Sequence, residues 1–219
     1  MAGYAVSNSD NAARPSDTFA GRINSVLAEN LASNPNLVIG GQLVKYGYAG
    51  LTTGLYEKYS DRFITYSVSE ELMNSSALGL ALAGKTVVMC HVRLDFLLCG
   101  MNALCNTIPV FWKKGHRLPI VVIAQEGRGI GTGQGAEHSK DFTFVFQRWE
   151  GWNVCVPQSP TEAAEMLDAS LNGTKPTMYV LHRRLFNATE GTRIEIPQEV
   201  KLCGASRRHM EEFYKCPSV

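Results

Sequence analysis

The sequence predicts an α/β protein built as a three-layer sandwich, with a largely parallel sheet of about six strands between layers of helices. Apolar runs of strand length alternate with helical patterns along the chain, which is typical of parallel sheets. Several of these runs are apolar at nearly every position, as a sheet covered on both faces requires. The predicted strands span residues 37–41, 62–66, 86–90, 118–124, 152–156 and 176–181.

The helices are predicted from apolar spacing and from capping residues. Asp17 can cap a first helix whose apolar residues recur every three or four positions, namely Phe19, Ile23, Val26, Leu27 and Leu31. Further helices are expected at 53–59, 72–83, 96–112 and 142–149. Ser159 and Pro160 form the cap and first turn of a last helix that runs to about Leu171.

Composition excludes several classes of function. The formal net charge is +1, without a basic block, so we expect no binding to nucleic acid. No apolar run approaches the ~20 residues that span a membrane. The six cysteines form no CxxC pair, and residues 1–16 lack the apolar segment of a secretory signal. We therefore expect a cytoplasmic protein, with a disordered lead-in over 1–16, one domain over 17–190 and a tail over 191–219.

The glycine-rich stretch at 127–135 suggests a phosphate-binding loop but lacks the required spacing. Its glycines fall at every second position, so neither the G-x-G-x-x-G spacing nor a Gly-Lys-Ser/Thr sequence occurs. We interpret it as a loop that shapes a cleft. The five histidines lack paired metal-ligand spacing, and no G-x-S-x-G nucleophile motif is present, so we predict no metal ligands in this sequence.

Three side chains follow the ends of predicted strands. Glu70 lies between a strand and a helix, Phe96 follows the third strand, and His138 follows the glycine-rich loop. Parallel strands place such residues along one sheet edge, where open α/β sheets bind ligands. A carboxylate, an aromatic face and an imidazole can hold an aromatic heterocycle and move protons on it. For each residue the alternative is a structural role. Glu70 stabilises the helix N-terminus by charge–dipole attraction, Phe96 packs in the core, and His138 serves only as a hydrogen-bonding group.

Six segments, in order, resemble beta subunits of the decarboxylase components of 2-oxo acid dehydrogenases. They are TGLYEKY at 53–59, VSE at 68–70, ALAGK at 81–85, DF at 95–96, EHS at 137–139 and VPQSPTEAA at 156–164. Over about residues 18–187 the chain is similar to the pyrimidine-binding domain of the transketolase superfamily of thiamine diphosphate enzymes. The resemblance implies the thiamine diphosphate-binding fold.

The resemblance also implies roles for individual residues. Glu70 matches the glutamate that hydrogen-bonds a ring nitrogen of the aminopyrimidine and so assists proton removal on the coenzyme. Phe96 matches the aromatic residue that stacks on the pyrimidine, and Val92 matches an apolar contact beside it. His138 matches the histidine near the substrate. The resemblance makes Glu70 and His138 the expected catalytic residues, and all four the expected coenzyme contacts.

The chain departs from the family in two places. Gly41-Gln42-Leu43-Val44 stands where the family usually has Gly-Glu-Asp-Val, so an acidic relay between paired sites is in doubt. Family beta subunits continue into a C-terminal domain, whereas this sequence stops at residue 219 and also lacks the Gly-Asp-Gly…Asn segment with which the superfamily holds the diphosphate through a divalent metal. We therefore expect an alpha-type partner that supplies the diphosphate site and Mg²⁺, in a heterotetramer.

The expected reaction is decarboxylation of a 2-oxo acid, or transfer of the resulting acyl or ketol two-carbon unit to an acceptor. The alternative function is that of a non-catalytic structural or regulatory subunit, which the missing carboxylates favour and the trio of Glu70, Phe96 and His138 opposes. An unrelated flavodoxin-like binding module is a third hypothesis, which the lack of a phosphate loop after the first strand disfavours.

Overall fold

The computed structural model describes residues 11–127, 138 and 140–192, and these form a three-layer α/β domain. Its six strands are β1 (Leu37–Gly41), β2 (Phe63–Thr65), β3 (Thr86–His91), β4 (Ile120–Glu126), β5 (Asn153–Cys155) and β6 (Thr177–His182). All neighbouring pairs in these ranges are parallel, in the order β2-β1-β3-β4-β6-β5. The predicted fold class is therefore confirmed.

Six α-helices connect or cover these strands. They are α1 (Phe19–Ser33), α2 (Tyr56–Tyr59), α3 (Glu70–Leu82), α4 (Ile108–Lys113), α5 (Thr143–Arg148) and α6 (Pro160–Leu171). One hydrophobic cluster joins α1 and α6 to one face of the sheet, and a second joins α3, α4 and α5 to the other. Within β3 the two faces alternate: Val88 and Cys90 face the first cluster, whereas Val87 and Met89 face the second. No helix among the described residues is long and apolar enough to cross a membrane.

The first helix, α1, tests two predictions from the sequence: its apolar face and its N-cap. All five residues of its predicted apolar face are buried, which confirms the spacing argument. The predicted cap was wrong by one residue. Thr18, not Asp17, has the extended backbone of an N-cap, and its Oγ1 accepts a hydrogen bond from the backbone N of Gly21 at 3.2 Å.

The segment after β3 is not the single helix expected over 96–112. It consists of a 3₁₀ segment (Asp95–Gly100), a π-helical segment (Asn102–Thr107) and then α4. Pro109 lacks the N–H that would continue an α-helical ladder, which fits a start of α4 at this point. Apolar spacing alone could not reveal the change, because a helical face tolerates short 3₁₀ and π turns.

The two ends of the sequence are only partly described. Residues 1–10 and 193–219 lie outside the described residues, so the disordered lead-in and the tail stay predictions. The described part of the lead-in touches the domain: Asn11 Oδ1 accepts the backbone N of Ala49 at 3.0 Å, and Asn11 O accepts Thr53 Oγ1 at 2.7 Å.

The start of α6 has the predicted cap, and this leads to a first prediction. Ser159 Oγ accepts the backbone N of Glu162 at 3.2 Å, and the carboxylate of Glu162 accepts the backbone N of Gln158 at 2.8 Å. Ser159→Ala is expected to lower the free energy of unfolding by about 1 kcal/mol, because it leaves a helix-end donor without its partner. The control, Ser75→Ala on the exposed side of α3, should change it by less than about 0.5 kcal/mol. Denaturant titration distinguishes the two, and equal effects would contradict the cap.

Candidate active site at the carboxyl edge of the sheet

The order of the strands places a crevice between β1 and β3. From β1 the backbone first moves outward to β2 and then returns to the other side of β1 as β3. Loops at such a reversal diverge, which leaves room for a ligand outside the carboxyl ends of the strands. Gln42 and Leu43 follow β1 here, and Val92 follows β3. Glu70 enters the same region from the start of α3.

Glu70 is the first residue of α3 and is 7% exposed. A carboxylate in the first turn is favoured by the helix dipole, so the structural role considered from the sequence holds as well. One carboxylate oxygen, Oε1, accepts a hydrogen bond from Gln42 Nε2 at 3.2 Å. Among the described residues no other side chain donates a hydrogen bond to this carboxylate.

The 3₁₀ segment after β3, which carries Phe96, packs against the start of α3. The contact is made at Gly100, where an added Cβ would lie 3.0 Å from both the backbone carbonyl carbon and the carbonyl oxygen of Glu70. Phe96 itself is half-buried, and its ring meets that of His138 edge to face, with centroids 5.3 Å apart. The structure therefore brings the rings of Phe96 and His138 together. Phe96 lies on the 3₁₀ segment whose last residue, Gly100, packs against Glu70.

Val92 packs on the face of the sheet opposite α3. It packs against the cluster that contains α1 and lines a cavity of about 100 Å³ with Leu43, Tyr48, Arg93 and Gln125, among others. The Tyr48 hydroxyl donates to the carbonyl of His91 at 2.6 Å, which holds the end of β3 beside Val92. Within the described ranges, Val92 shares neither a hydrogen bond nor a hydrophobic cluster with Phe96 or Glu70.

A buried carboxyl group lies beside Phe96. Asp95 Oδ1 accepts the backbone N of Lys140 at 3.4 Å and lies 3.9 Å from Lys140 Nζ. Burial raises the pKa of Asp95, partly offset by hydrogen bonds from the backbone and by the nearby positive charge of Lys140. This contact links the start of the 3₁₀ segment to the backbone just after His138, and so supports the two rings.

Beneath the site, His91 and Asn74 form a fully buried polar pair. His91 Nε2 and Asn74 Oδ1 are 2.9 Å apart, and Asn74 lies one helical turn after Glu70. Burial lowers the pKa of His91 to about 3, so the imidazole is neutral at physiological pH. The neutral ring donates from Nε2 to the amide oxygen, which ties α3 to the end of β3.

Sequence reasoning missed part of this arrangement. It treated Gln42 only as an absent carboxylate, whereas the structure shows a direct bond from Gln42 to Glu70. It also did not single out Asn74, His91 or Asp95. The helical spacing of Glu70 and Asn74 was readable, but their partners come from segments far away in sequence.

Among the described residues no group of three potential metal-ligating side chains occurs.

The close approach at Gly100 gives a second prediction. A Cβ at residue 100 would lie 2.5 Å from Asn74 Nδ2 as well as against the backbone of Glu70. Gly100→Ala is expected to lower the free energy of unfolding by about 1–3 kcal/mol, because the buried groups around it must move. The control is Gly79→Ala on α3, where an added Cβ meets nothing within 4 Å. It should be neutral or stabilising by up to about 1 kcal/mol, and similar losses in both would contradict the prediction.

The fold and the site define a class of protein: an all-parallel α/β domain with a carboxylate, a phenylalanine and a histidine at one sheet edge. Comparison with known families identifies the class more closely. The family model described as "Transketolase, pyrimidine binding domain" matches residues 18–189. The chain therefore belongs to the family of transketolase pyrimidine-binding domains.

Curated relatives are named as beta subunits of the pyruvate dehydrogenase E1 component. The chain is 26% identical over 182 residues to that of Chaetosphaeridium globosum, covering 81% of this chain and 55% of the relative. It is also 26% identical over 189 residues to the chloroplastic subunit beta-3 of Arabidopsis thaliana, covering 84% and 45%. The chain thus spans about half the length of the curated relatives it matches.

Solved structures support the fold. A split-gene transketolase, described as an inactive beta4 tetramer, matches with a TM-score of 0.60 and 18% identity over 74% of this chain and 50% of that one. A transketolase of Pichia stipitis, solved in complex with sedoheptulose-7-phosphate, matches with a TM-score of 0.63 and 19% identity over 80% of this chain and 28% of that one.

Proposed function

We propose that this chain is the pyrimidine-side subunit of a two-component enzyme that depends on thiamine diphosphate. The reaction would decarboxylate a 2-oxo acid or transfer the resulting two-carbon unit to an acceptor. One observation carries the proposal: Glu70 is buried at the sheet edge with one oxygen bound by Gln42, and the half-buried ring of Phe96 lies on the element packed against it. Membership in the pyrimidine-binding family supports it.

The described residues fit the pyrimidine half of the coenzyme. A heteroaromatic ring needs a hydrogen-bonding partner at a nitrogen and an apolar face to stack on, and Glu70 and Phe96 are of the required kinds. Val92 would add an apolar contact from the β3 side. His138 would stand where a substrate carbonyl or carboxylate approaches. When bound, the coenzyme would supply the stabilisation of a substrate carbanion.

Each residue then has a defined task. Glu70 would exchange a proton or share a hydrogen bond with the ring nitrogen, which requires a fixed carboxylate oxygen within hydrogen-bond reach. Phe96 would hold the ring plane and exclude water from one face. His138 is oriented by its edge contact with Phe96, and it would donate to or accept from the substrate.

A partner subunit is part of the proposal. No triad of metal ligands is present among the described residues, and a diphosphate with Mg²⁺ needs oxygen ligands of its own. We infer an alpha-type subunit that holds the diphosphate and Mg²⁺, in a heterotetramer with two coenzyme sites. The pyruvate dehydrogenase relatives are named as beta subunits, which supports such a pairing.

Calorimetry with thiamine diphosphate and Mg²⁺ tests this function. The samples are this chain alone, its encoded neighbour alone, and the two mixed. Binding in the mixture only, at one coenzyme per pair of subunits, is the expected result. Tight binding by this chain alone would contradict a shared site. Binding by none of the samples would favour a non-catalytic structural or regulatory subunit, a role consistent with the amide at Gln42 in place of a carboxylate.

A further inference from the structure

The backbone around Gln42 limits the region that its side chain reaches. Gln42 follows Gly41, the last residue of β1, whose φ of +145° and close packing on β3 suit glycine: an added Cβ would lie 2.3 Å from Cys90 O. Leu43 follows with a φ of 61°, which is rare for a residue with a Cβ. Non-glycine residues keep such a backbone only where the surrounding structure holds it. The backbone on both sides of Gln42 is therefore constrained.

The amide of Gln42 spans from the end of β1 to the first turn of α3. Its Nε2 lies 3.2 Å from Glu70 Oε1 and 3.9 Å from Met73 Sδ, and both acceptors belong to that turn. The orientation of the amide follows from chemistry, because an amide oxygen facing a carboxylate would repel it. Glu70 is the one ionisable side chain in hydrogen-bond contact with residue 42 among the described residues. The pair thus carries a single ionisable group.

We propose that Gln42 is a positioning residue that fixes Glu70 by donating to Oε1, so that Oε2 alone is presented to the coenzyme ring. An amide can donate a hydrogen bond but cannot take up and release a proton. Residue 42 therefore orients Glu70 and carries no proton to or from it. The inference rests on the proposed function, since it assigns Glu70 to the coenzyme.

The test measures the affinity of the assembled pair of subunits for thiamine diphosphate with Mg²⁺ by calorimetry. Gln42→Met keeps the length of the side chain and removes the donor. A hydrogen bond to a charged group contributes enough that coenzyme binding should weaken about tenfold. The same replacement at the exposed Gln147 on α5 is the matched control and should leave binding within twofold. Thermal unfolding of each variant shows whether the fold itself has changed.

Gln42→Glu distinguishes two roles of the side chain at residue 42: donating a hydrogen bond to Glu70, and only filling space. This side chain has the same shape but places a second carboxylate against Glu70, so ionisation of both is disfavoured. The family usually has glutamate at this position, so coenzyme binding should stay within about threefold of wild type at pH 6, where the two carboxyl groups share a proton, and should weaken towards pH 8 as that proton is lost. The Gln42→Met deficit should stay constant over that range. Wild-type affinity of both variants at every pH in this range would overturn the inference, because a side chain that only fills space would be replaced by either.

A double-mutant cycle separates this inference from the proposed function. In a Glu70→Gln background, Gln42→Met should weaken coenzyme binding by less than twofold, because the charged acceptor is gone. If Glu70→Gln alone leaves binding unchanged, the proposed function fails. If Glu70→Gln weakens binding while Gln42→Met does not, the role of Gln42 fails and the function stands.

Discussion

Glu70→Ala is expected to lower the activity of the assembled pair of subunits about 100-fold or more. A positioned proton-transfer partner contributes about 100- to 10,000-fold, and alanine offers neither a proton nor an acceptor. Gln42, the neighbour of the Glu70 carboxylate, is an amide and cannot take over proton transfer from it. The measurement is the initial rate of carbon dioxide release from a panel of 2-oxo acids, at saturating thiamine diphosphate and Mg²⁺.

The adjacent carboxylate provides the control for this prediction. Glu71 points away from the crevice: its Oε1 accepts Asn102 Nδ2 at 3.0 Å, and its Oε2 accepts the backbone N of Ala103 at 3.2 Å. Glu71→Ala also removes a negative charge from the first turn of α3. It should retain activity within about threefold, since a partly exposed hydrogen-bonded contact contributes about 1 kcal/mol to stability and nothing to proton transfer. Equal activity of wild type and Glu70→Ala would show that Glu70 has no catalytic role.

The second large effect concerns stability in acid. The folded pKa of His91 is lowered to about 3 by burial, below its ordinary value of 6.5. Between these values the unfolded state binds a proton that the folded state does not. The free energy of unfolding therefore falls as pH decreases through this window, by up to about 1.4 kcal/mol per pH unit for this group. Above about pH 6.5 His91 is neutral in both the folded and the unfolded state, so it no longer lowers the free energy of unfolding.

The variant His91→Gln isolates this contribution, because glutamine has an amide donor for Asn74 but does not titrate. Between pH 7.5 and pH 5, wild type should lose about 2 kcal/mol more of its free energy of unfolding than His91→Gln does. Asp95 acts in the opposite direction, since its raised pKa favours the folded state in acid, but it is common to both proteins. Urea titrations at the two pH values give the comparison, with His116→Gln as the exposed control. Parallel losses in wild type and His91→Gln would show that His91 is not buried neutral.

Much of the fold could be predicted because its signals are local. Apolar runs of strand length marked all six strands, and the bounds of β1 were predicted without error. The face of α1 and the cap of α6 also depend on neighbours within four residues. The segment after β3 was mispredicted because its 3₁₀ and π turns depend on packing against α3, which no local spacing reports.

For the candidate site too, the sequence predicted what depends on local signals and missed what depends on contacts between distant segments. Glu70, Phe96 and His138 could be selected because each follows a strand, and parallel strands end at one edge. Their mutual geometry, including the 5.3 Å contact between the two rings, was not readable from the sequence. Residue 42 illustrates the limit best, because the sequence showed a missing carboxylate and the structure showed a donor to Glu70.

By itself, the sequence determined the class of fold, the alternation of strands and helices, and the family resemblance carried by six short segments. These follow from periodicity and residue type, which act over a few positions along the sequence. The tertiary structure alone decided that Gln42 bonds Glu70 across 28 residues of sequence, that His91 is buried neutral against Asn74, and that a side chain at Gly100 would press against Asn74 and Glu70. Each of these depends on burial and on distances between distant segments, and only the packed protein brings those segments within hydrogen-bond reach.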